Sequence, residues 1–173
     1  MIIRKLTKSD AKQFWELRFK ALKHDEYAFS ATYEEEIKKP LEGLIYRFNN
    51  GYIEPSEANF VLGAFNNENK IIGVVGLSRG RRIKLRHKAT IWGMYVSAEY
   101  RKNGIGRLLM SEILKIAKSM EGLEQLNLSV ISNNTKARNL YISMEFEIYA
   151  TEKNAIKLDG KYFDEDFMVY FAK

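Results

Sequence analysis

The segment from Ala89 to Ile131 constrains the fold more than any other part of this chain. Ala89–Val96 is an apolar run that predicts a β-strand, and apolar residues between Gly104 and Met120 recur at helical spacing. Leu126–Ile131 is a second apolar run typical of a strand. A strand, a helix and a strand in succession predict two parallel strands joined by a right-handed crossover.

The other segments predict further strands, with helices at the start and near the end of the chain. Thr32 and Glu35 form a capping-box pattern, so we expect one helix from there to Phe48, stopped by Asn49-Asn50-Gly51. The remaining predicted elements are strand Ile2–Leu6, a helix after Thr7–Asp10, strands Phe60–Phe65 and Ile71–Leu77, helix Asn134–Met144, and strands Phe146–Tyr149 and Phe167–Phe171 around the turn Asp159-Gly160.

These elements predict one mixed α/β domain over residues 1–173, with a mostly antiparallel sheet, a central parallel strand pair and about four helices. The chain has no cysteine, which excludes disulfides, cysteine-ligated zinc and thiol nucleophiles. His24 and His87 lie in no recognisable motif, so we expect no metal site. No apolar run approaches the ~20 residues of a membrane span, and the N-terminus lacks a secretory pattern. We therefore expect a cytoplasmic protein without a membrane partner.

The positive charge of the chain is concentrated in one segment. The net charge is +6, and Arg79 to Lys88 contains six basic residues and no acidic residue, which accounts for the whole excess. One interpretation is a surface that binds an anionic partner such as nucleic acid. Alternation around Ile83 and Leu85 equally fits an exposed hairpin with solvated charges.

The turn between the first of the parallel strands and its helix is predicted to bind an anion. The first turn of a helix carries backbone N–H groups without an intrahelical partner, and the helix dipole is positive there. Gly104 and Gly106 leave the backbone uncovered, and Arg101, Lys102 and Arg107 add positive charge. The turn matches neither a Walker-type loop nor the dinucleotide fingerprint. From these residues alone, the alternative is a helix that simply begins with glycines and binds no anion.

Two motifs lie on either side of the second parallel strand. The first is Arg101-Lys102-Asn103-Gly104-Ile105-Gly106, and the second is Asn134-Thr135-Lys136-Ala137-Arg138-Asn139-Leu140-Tyr141, followed by Phe146. They resemble the Arg/Gln-x-x-Gly-x-Gly/Ala and Asn-x-x-Ala-x-x-Leu-Tyr motifs of the GNAT superfamily of acyl-CoA N-acyltransferases. Either motif alone is weak, but both occur in the family's order, and the order of elements is similar along essentially the whole chain.

The resemblance implies acetyl-CoA as the acyl donor, without a metal. Backbone N–H groups of the glycine turn, by which we mean Arg101 to Arg107, would hold the pyrophosphate. A splay between the two parallel strands would admit the pantetheine arm. Tyr141 would protonate the leaving thiolate, which a phenol of pKa near 10 can do at neutral pH; the alternative is a tyrosine that only fills the core. The implied cofactor-binding residues are Met94, Tyr95, Val96, Arg101, Lys102, Asn103, Gly104, Ile105, Gly106, Arg107, Asn134 and Ala137.

The sequence departs from the family pattern at two positions. Some members carry a glutamate as general base on the strand before the first motif, but the equivalent position here is about Thr90 and that strand has no carboxylate. The base therefore stays unassigned. Glu145 replaces the glycine that usually precedes Phe146 in a left-handed conformation, which costs on the order of 1 kcal/mol for a residue with a side chain.

The resemblance implies acetyl transfer to a primary amine by direct attack in a ternary complex, and we expect a small-molecule acceptor rather than nucleic acid. Candidate acceptor residues are Glu34, Trp92 and Arg18; the alternatives are a helix-dipole role for Glu34, a core position for Trp92 and a snorkelling Arg18. Two other functions stay open, namely an acetyltransferase for protein amines and a non-catalytic module that binds acyl-CoA or nucleic acid. The family often forms homodimers.

Overall fold

The centre of the molecule is one seven-stranded sheet. The computed structural model describes residues 1–50 and 58–172, so Gly51 of the predicted helix stop lies outside the described residues. The strands are β1 (Ile2–Lys5), β2 (Asn59–Phe65), β3 (Ile71–Arg79), β4 (Lys88–Val96), β5 (Gln125–Ile131), β6 (Glu147–Leu158) and β7 (Lys161–Phe171). Their order in the sheet is β1-β2-β3-β4-β5-β7-β6, and every neighbouring pair is antiparallel except β4–β5. The predicted mixed sheet with one parallel pair is confirmed.

The described residues contain five α-helices, one more than predicted. They are α1 (Ala11–His24), α2 (Tyr33–Ile37), α3 (Leu41–Phe48), α4 (Ile105–Ser119) and α5 (Thr135–Ile142). The crossover from β4 to β5 runs through α4, as the sequence predicted. Short 3-10 turns occur as well, of which Glu26–Ala28 and Ala98–Tyr100 flank the candidate site.

The prediction of a single helix from Thr32 to Phe48 is wrong. The capping box is present, because Glu35 N donates to Thr32 Oγ1 (3.2 Å) and Thr32 N donates to Glu35 Oε2 (2.9 Å). The helix ends at Ile37, and a new helix follows Pro40. Proline has no N–H to donate and disfavours helical geometry in the residue before it, so the helix breaks there although the apolar spacing continues.

The two closing strands are much longer than predicted. β6 lies at the edge of the sheet and is exposed along most of its length, so it lacks the apolar run that marks a buried strand. Two register shifts, between Ile148 and Ala150 and between Glu152 and Ile156, further disrupt its alternation. The predicted turn is present, with Asp159 and Gly160 both at positive φ (48° and 76°), as in a two-residue hairpin.

Strand residues alternate between two hydrophobic layers on the two faces of the sheet. On one face α4 contributes Leu109, Met110 and Ile113, all fully buried. On the other face the ring of Phe14 in α1 stacks on that of Phe48 in α3 at 4.2 Å between centroids. Burying each of these side chains contributes about 2 kcal/mol, so the sheet and the start of α4 are held firmly between the two layers.

Candidate functional site

Strands β4 and β5 separate after a short parallel contact. Lys88–Thr90 pairs with Gln125–Asn127, and the pairing ends there. Further along β4, Gly93 and Met94 together oppose a single residue of β3, which is a β-bulge, and Gly93 has a φ of 63°. Beyond Thr90, no strand in the described part of the chain pairs with the β5-facing edge of β4. The splay implied by the resemblance is present, and it leaves backbone groups of β4 open to a ligand.

The glycine turn presents a run of unpaired backbone donors. Lys102 and Gly104 are left-handed, with φ of 66° and 74°, and α4 begins at Ile105. Within residues 1–50 and 58–172, nothing accepts a hydrogen bond from the backbone N–H groups of Lys102 to Arg107. Arg101 is different, because its N–H donates to Ala98 O at 3.3 Å. Left-handed residues within a series of free N–H groups form a concave anion site at the positive end of a helix.

The two glycines of the turn have different roles. A side chain on Gly104 would meet no atom within 4 Å, so the space in front of this backbone is open. A Cβ on Gly106 would lie 3.0 Å from Met94 Cε and 3.4 Å from Leu140 Cδ2. Gly106 therefore allows α4 to approach β4 and α5, whereas Gly104 provides the left-handed conformation and the opening.

The basic side chains of the turn are only partly directed at the anion site. The guanidinium of Arg101 forms an ion pair with Asp25 and also donates from Nε to Val96 O at 2.9 Å. Arg107 Nη2 donates to Ser143 Oγ at 2.7 Å, which ties the start of α4 to the end of α5. The exposed Lys102 takes part in no ion pair among the described residues.

Helix α5 is positioned by two polar contacts. Asn134 Oδ1 accepts from the N–H of Ala137 at 3.3 Å and so caps the helix. Arg138 Nε donates to the buried carboxylate of Asp166 at 2.9 Å, and that carboxylate also accepts from Ser132 and Thr151. Burial raises the pKa of Asp166, but the hydrogen bonds from Thr151, Ser132 and Arg138 outweigh it and hold the pKa below its usual range. The helix that carries Tyr141 is therefore fixed to β7.

Tyr141 lies on the buried side of α5. Its ring is 6.1 Å from that of Phe146, and the residue is 6% exposed. Burial raises the pKa of the Tyr141 phenol to about 12. The hydroxyl forms no hydrogen bond within the described ranges. The phenol is thus buried and unpaired, and its raised pKa keeps it protonated at neutral pH.

Comparison with known proteins identifies the family. The model of the acetyltransferase (GNAT) family matches residues 11–146, from the start of α1 to the turn after α5. The chain belongs to the acetyltransferase (GNAT) family. The matched range contains the splay, the glycine turn and Tyr141, so the geometry described above falls within the family domain.

Several relatives of this GNAT protein have known structures or activities. A GNAT-family acetyltransferase from Streptococcus pneumoniae is 25% identical, with a TM-score of 0.86 and coverage of 99% of both chains. A phosphinothricin acetyltransferase from Sinorhizobium meliloti, solved in complex with acetyl-CoA, is 20% identical with a TM-score of 0.81, covering 98% of this chain and 87% of that chain. The L-amino acid N-acetyltransferase AaaT of Escherichia coli is 24% identical over 98 residues, which is 57% of this chain and 60% of that relative.

Two of the three candidate acceptor residues of the GNAT protein line one pocket. Arg18 and Trp92 lie there with Phe29 and Tyr95, beside the bulge of β4. The Arg18 guanidinium lies 4.7 Å from the centre of the Phe29 ring, and Trp92 Nε1 donates to Ser78 Oγ at 3.0 Å. The third candidate, Glu34, is exposed in the first turn of α2 and does not line this pocket.

Sequence reasoning missed several residues around the glycine turn. An open hollow of about 430 Å³ lies beside it, where the predicted Asn103 meets Asn66, Asn67 and Tyr100, which were missed. Asn66 Nδ2 donates to Tyr100 Oη at 3.2 Å. Asp25, the partner of Arg101, was also missed. These residues come from separate loops, and nothing in their local sequence indicates that they meet.

The basic segment Arg79 to Lys88 lies at the other end of β4 from the glycine turn. Residues 81 to 86 are exposed, and Ile83 is 82% exposed. Arg79 holds the base of the segment by donating to the backbone oxygens of Arg86 (2.5 Å) and Glu121 (2.6 Å). Both interpretations of its charge stay open.

The described ranges contain neither a membrane-spanning helix nor a metal-binding cluster. No helix there is long and apolar enough to cross a membrane. No group of three or more His, Asp or Glu side chains is arranged there to hold a metal ion.

Proposed function

We propose that this protein is an acetyl-CoA-dependent N-acetyltransferase that acetylates a primary amine of a small molecule, with residues 1–173 acting as one catalytic domain. The observation that carries the proposal is the open run of backbone N–H groups from Lys102 to Arg107 at the end of a strand with an unpaired edge. An anion cradle and an open strand edge suit a ligand with a pyrophosphate and an amide-containing arm.

The residues present fit such a ligand. Met94 and Val96 offer backbone groups along the open edge of β4, and the glycine turn offers its free donors to the pyrophosphate. The side-chain oxygen of Asn134 is used to cap α5, so its amide nitrogen is the group left for the cofactor. We assign these residues to binding, with Tyr95 supporting β4 from its buried position on the other face.

Proton transfer is assigned to Tyr141. Acetyl-CoA supplies an acetyl group on a thioester, and its thiolate leaves when an amine attacks. Tyr141 Oη holds a proton at neutral pH, because burial raises its pKa to about 12, and it donates that proton to the departing sulfur. The strand β4 carries no carboxylate, so the amine gives up its own proton to water.

The acceptor is proposed to be a small amine such as an amino acid. The pocket beside the bulge is small and lined mainly by apolar residues, four of them aromatic, with Arg18 as its cation. A guanidinium suits an acceptor that carries a carboxylate. The relative from Escherichia coli that acts on L-amino acids supports the same class.

The proposal is tested by following thiol release from acetyl-CoA with a panel of L-amino acids and small aliphatic amines. Tyr141→Phe should lower kcat by roughly 100-fold, because the proton donor is lost. The dissociation constant of acetyl-CoA should stay unchanged, since the ring still fills its place.

Tyr170→Phe is the matched control for this substitution. Tyr170 is equally buried, and its ring lies 5.4 Å from the same Phe146. Its kcat should remain near the wild-type value. A wild-type rate in Tyr141→Phe would remove Tyr141 from the mechanism, and no thiol release with any amine would refute the proposed activity.

A further inference from the structure

Arg101 is the first residue of the glycine turn, yet its side chain is directed away from the free N–H groups. Its Nη2 and Nη1 donate to the two carboxylate oxygens of Asp25 at 2.5 Å and 3.3 Å, and its Nε donates to Val96 O at 2.9 Å. The guanidinium also lies 5.4 Å from the centre of the Tyr95 ring. The planar fork of arginine suits this two-point contact, and a lysine could not reproduce it.

Asp25 is the residue at which α1 ends and a covering segment begins. We use the name covering segment for Asp25 to Phe29. Asp25 N donates to Ala21 O at 2.9 Å, and Ala28 N donates to Asp25 O at 2.8 Å, so the backbone of Asp25 joins the helix to the segment. The 3-10 turn Glu26–Ala28 within the segment contacts β5.

The covering segment crosses the splayed part of the sheet. The Tyr27 ring lies 4.7 Å from that of Phe163 in β7, and the Phe29 ring lies 6.3 Å from that of Tyr95 in β4. The segment thus reaches from β4 over β5 to β7. Because Phe29 also lines the pocket with Arg18 and Trp92, the position of the segment shapes the candidate acceptor site.

We propose that the Arg101–Asp25 ion pair is a strap that transmits cofactor occupancy from the glycine turn to the acceptor side, with Asp25 and Arg101 as positioning residues. This inference rests on the proposed function. The six N–H groups of Lys102 to Arg107 have no acceptor within the described ranges, and Lys102 is left-handed, so an anion that accepts from these groups stabilises the turn. An anion bound there fixes the turn, Arg101 fixes Asp25, and the covering segment becomes ordered before an amine arrives. Such coupling by ordering is reciprocal, so an acceptor would also tighten acetyl-CoA.

The test uses acetyl-CoA itself as the probe and hydrogen exchange as the readout. In the wild-type protein, saturating acetyl-CoA should slow exchange of the Asp25 and Ala28 amides by roughly 10-fold, because their opening is suppressed. In Asp25→Asn, which keeps the shape but loses the charge, acetyl-CoA should still bind within about twofold by calorimetry, while the slowing disappears.

Asp164→Asn is the matched control. Asp164 forms an ion pair with Lys153 at 2.7 Å, and its side chain is 32% exposed against 31% for Asp25. This variant should retain the full effect of acetyl-CoA on the covering segment. A purely structural ion pair would change exchange equally with and without acetyl-CoA. If acetyl-CoA still slowed amide exchange in Asp25→Asn, or did not slow it in the wild type despite binding, the strap alone would be overturned. If acetyl-CoA did not bind at all, the proposed function would be overturned as well.

Discussion

At the scale of single residues, the candidate site depends more on backbone conformation than on charged side chains. Arg101 and Arg107 are both engaged in contacts within the protein, with Asp25 and Ser143 respectively. What remains directed at a ligand is a set of N–H groups, and their orientation depends on the left-handed conformation of Gly104. Charge substitutions in the turn should therefore weaken anion binding less than a change that distorts this backbone.

Glu145 has a backbone conformation that is unfavourable for a residue with a side chain. It has a φ of 68° in the turn after α5, so the left-handed geometry inferred from the family pattern is present even without the usual glycine. Glu145→Gly should raise the free energy of unfolding by about 0.5 kcal/mol, because relief of strain of about 1 kcal/mol is partly offset by the greater freedom of glycine in the unfolded chain.

Urea unfolding measures this change, and Glu147→Gly provides the contrast. Glu147 lies in the extended strand β6, so glycine there should destabilise the protein by roughly 0.5–1 kcal/mol. Destabilisation by both substitutions to a similar degree would show that the conformation of Glu145 is not strained.

At the scale of elements, the contacts between β1 and the start of α1 predict that acid lowers the stability of the fold through one carboxylate. Arg4 donates to the two oxygens of Asp10 at 2.7 Å and 2.9 Å, and Thr7 N donates to the same carboxylate at 2.7 Å. The hydrogen bond from Arg4, together with those from Thr7, outweighs burial and lowers the pKa of Asp10 to about 2. Because the pKa of Asp10 is lower in the folded than in the unfolded chain, its carboxylate stabilises the fold at pH values above the unfolded-state pKa near 4. This stabilisation is lost as the pH falls towards 2.

Asp10→Asn isolates this contribution. Between pH 5 and pH 2.5, the free energy of unfolding of the wild type should fall by about 2 kcal/mol more than that of the variant. Urea titrations at the two pH values measure both. Other carboxylates titrate in both proteins and cancel in the comparison. Parallel losses of stability in the two proteins would contradict the role of Asp10.

Some of these elements could be predicted from the sequence and others could not. The unit β4–α4–β5 was predicted because its strands are buried apolar runs and its helix has a clear apolar face. The break at Pro40 was missed because apolar spacing continues through it, and β6 was underestimated because an exposed edge strand has no such run. The pairing of Arg101 with Asp25 joins positions 76 residues apart, so it depends on the placement of α1 against β4 and has no local signal.

At the scale of the whole molecule, the splayed sheet lies between the proposed cofactor site and the proposed acceptor site. The glycine turn and α5 lie on one side of β4, whereas the acceptor pocket and the covering segment lie on the other. The basic segment Arg79 to Lys88 is at the opposite end of that strand, which separates the excess positive charge from the proposed cofactor site. The central claim is that acetyl-CoA binds at the glycine turn.

The most direct measurement is calorimetric titration of acetyl-CoA into the wild-type protein, Gly104→Val and Gly160→Val. Gly104 and Gly160 have nearly the same φ, 74° and 76°, and both face open space, so valine adds the same backbone strain at either position. We predict one site of micromolar affinity in the wild type and in Gly160→Val, and affinity lowered by 10-fold or more in Gly104→Val, on the order of 1.4 kcal/mol. Equal affinity in all three proteins would contradict binding at the turn.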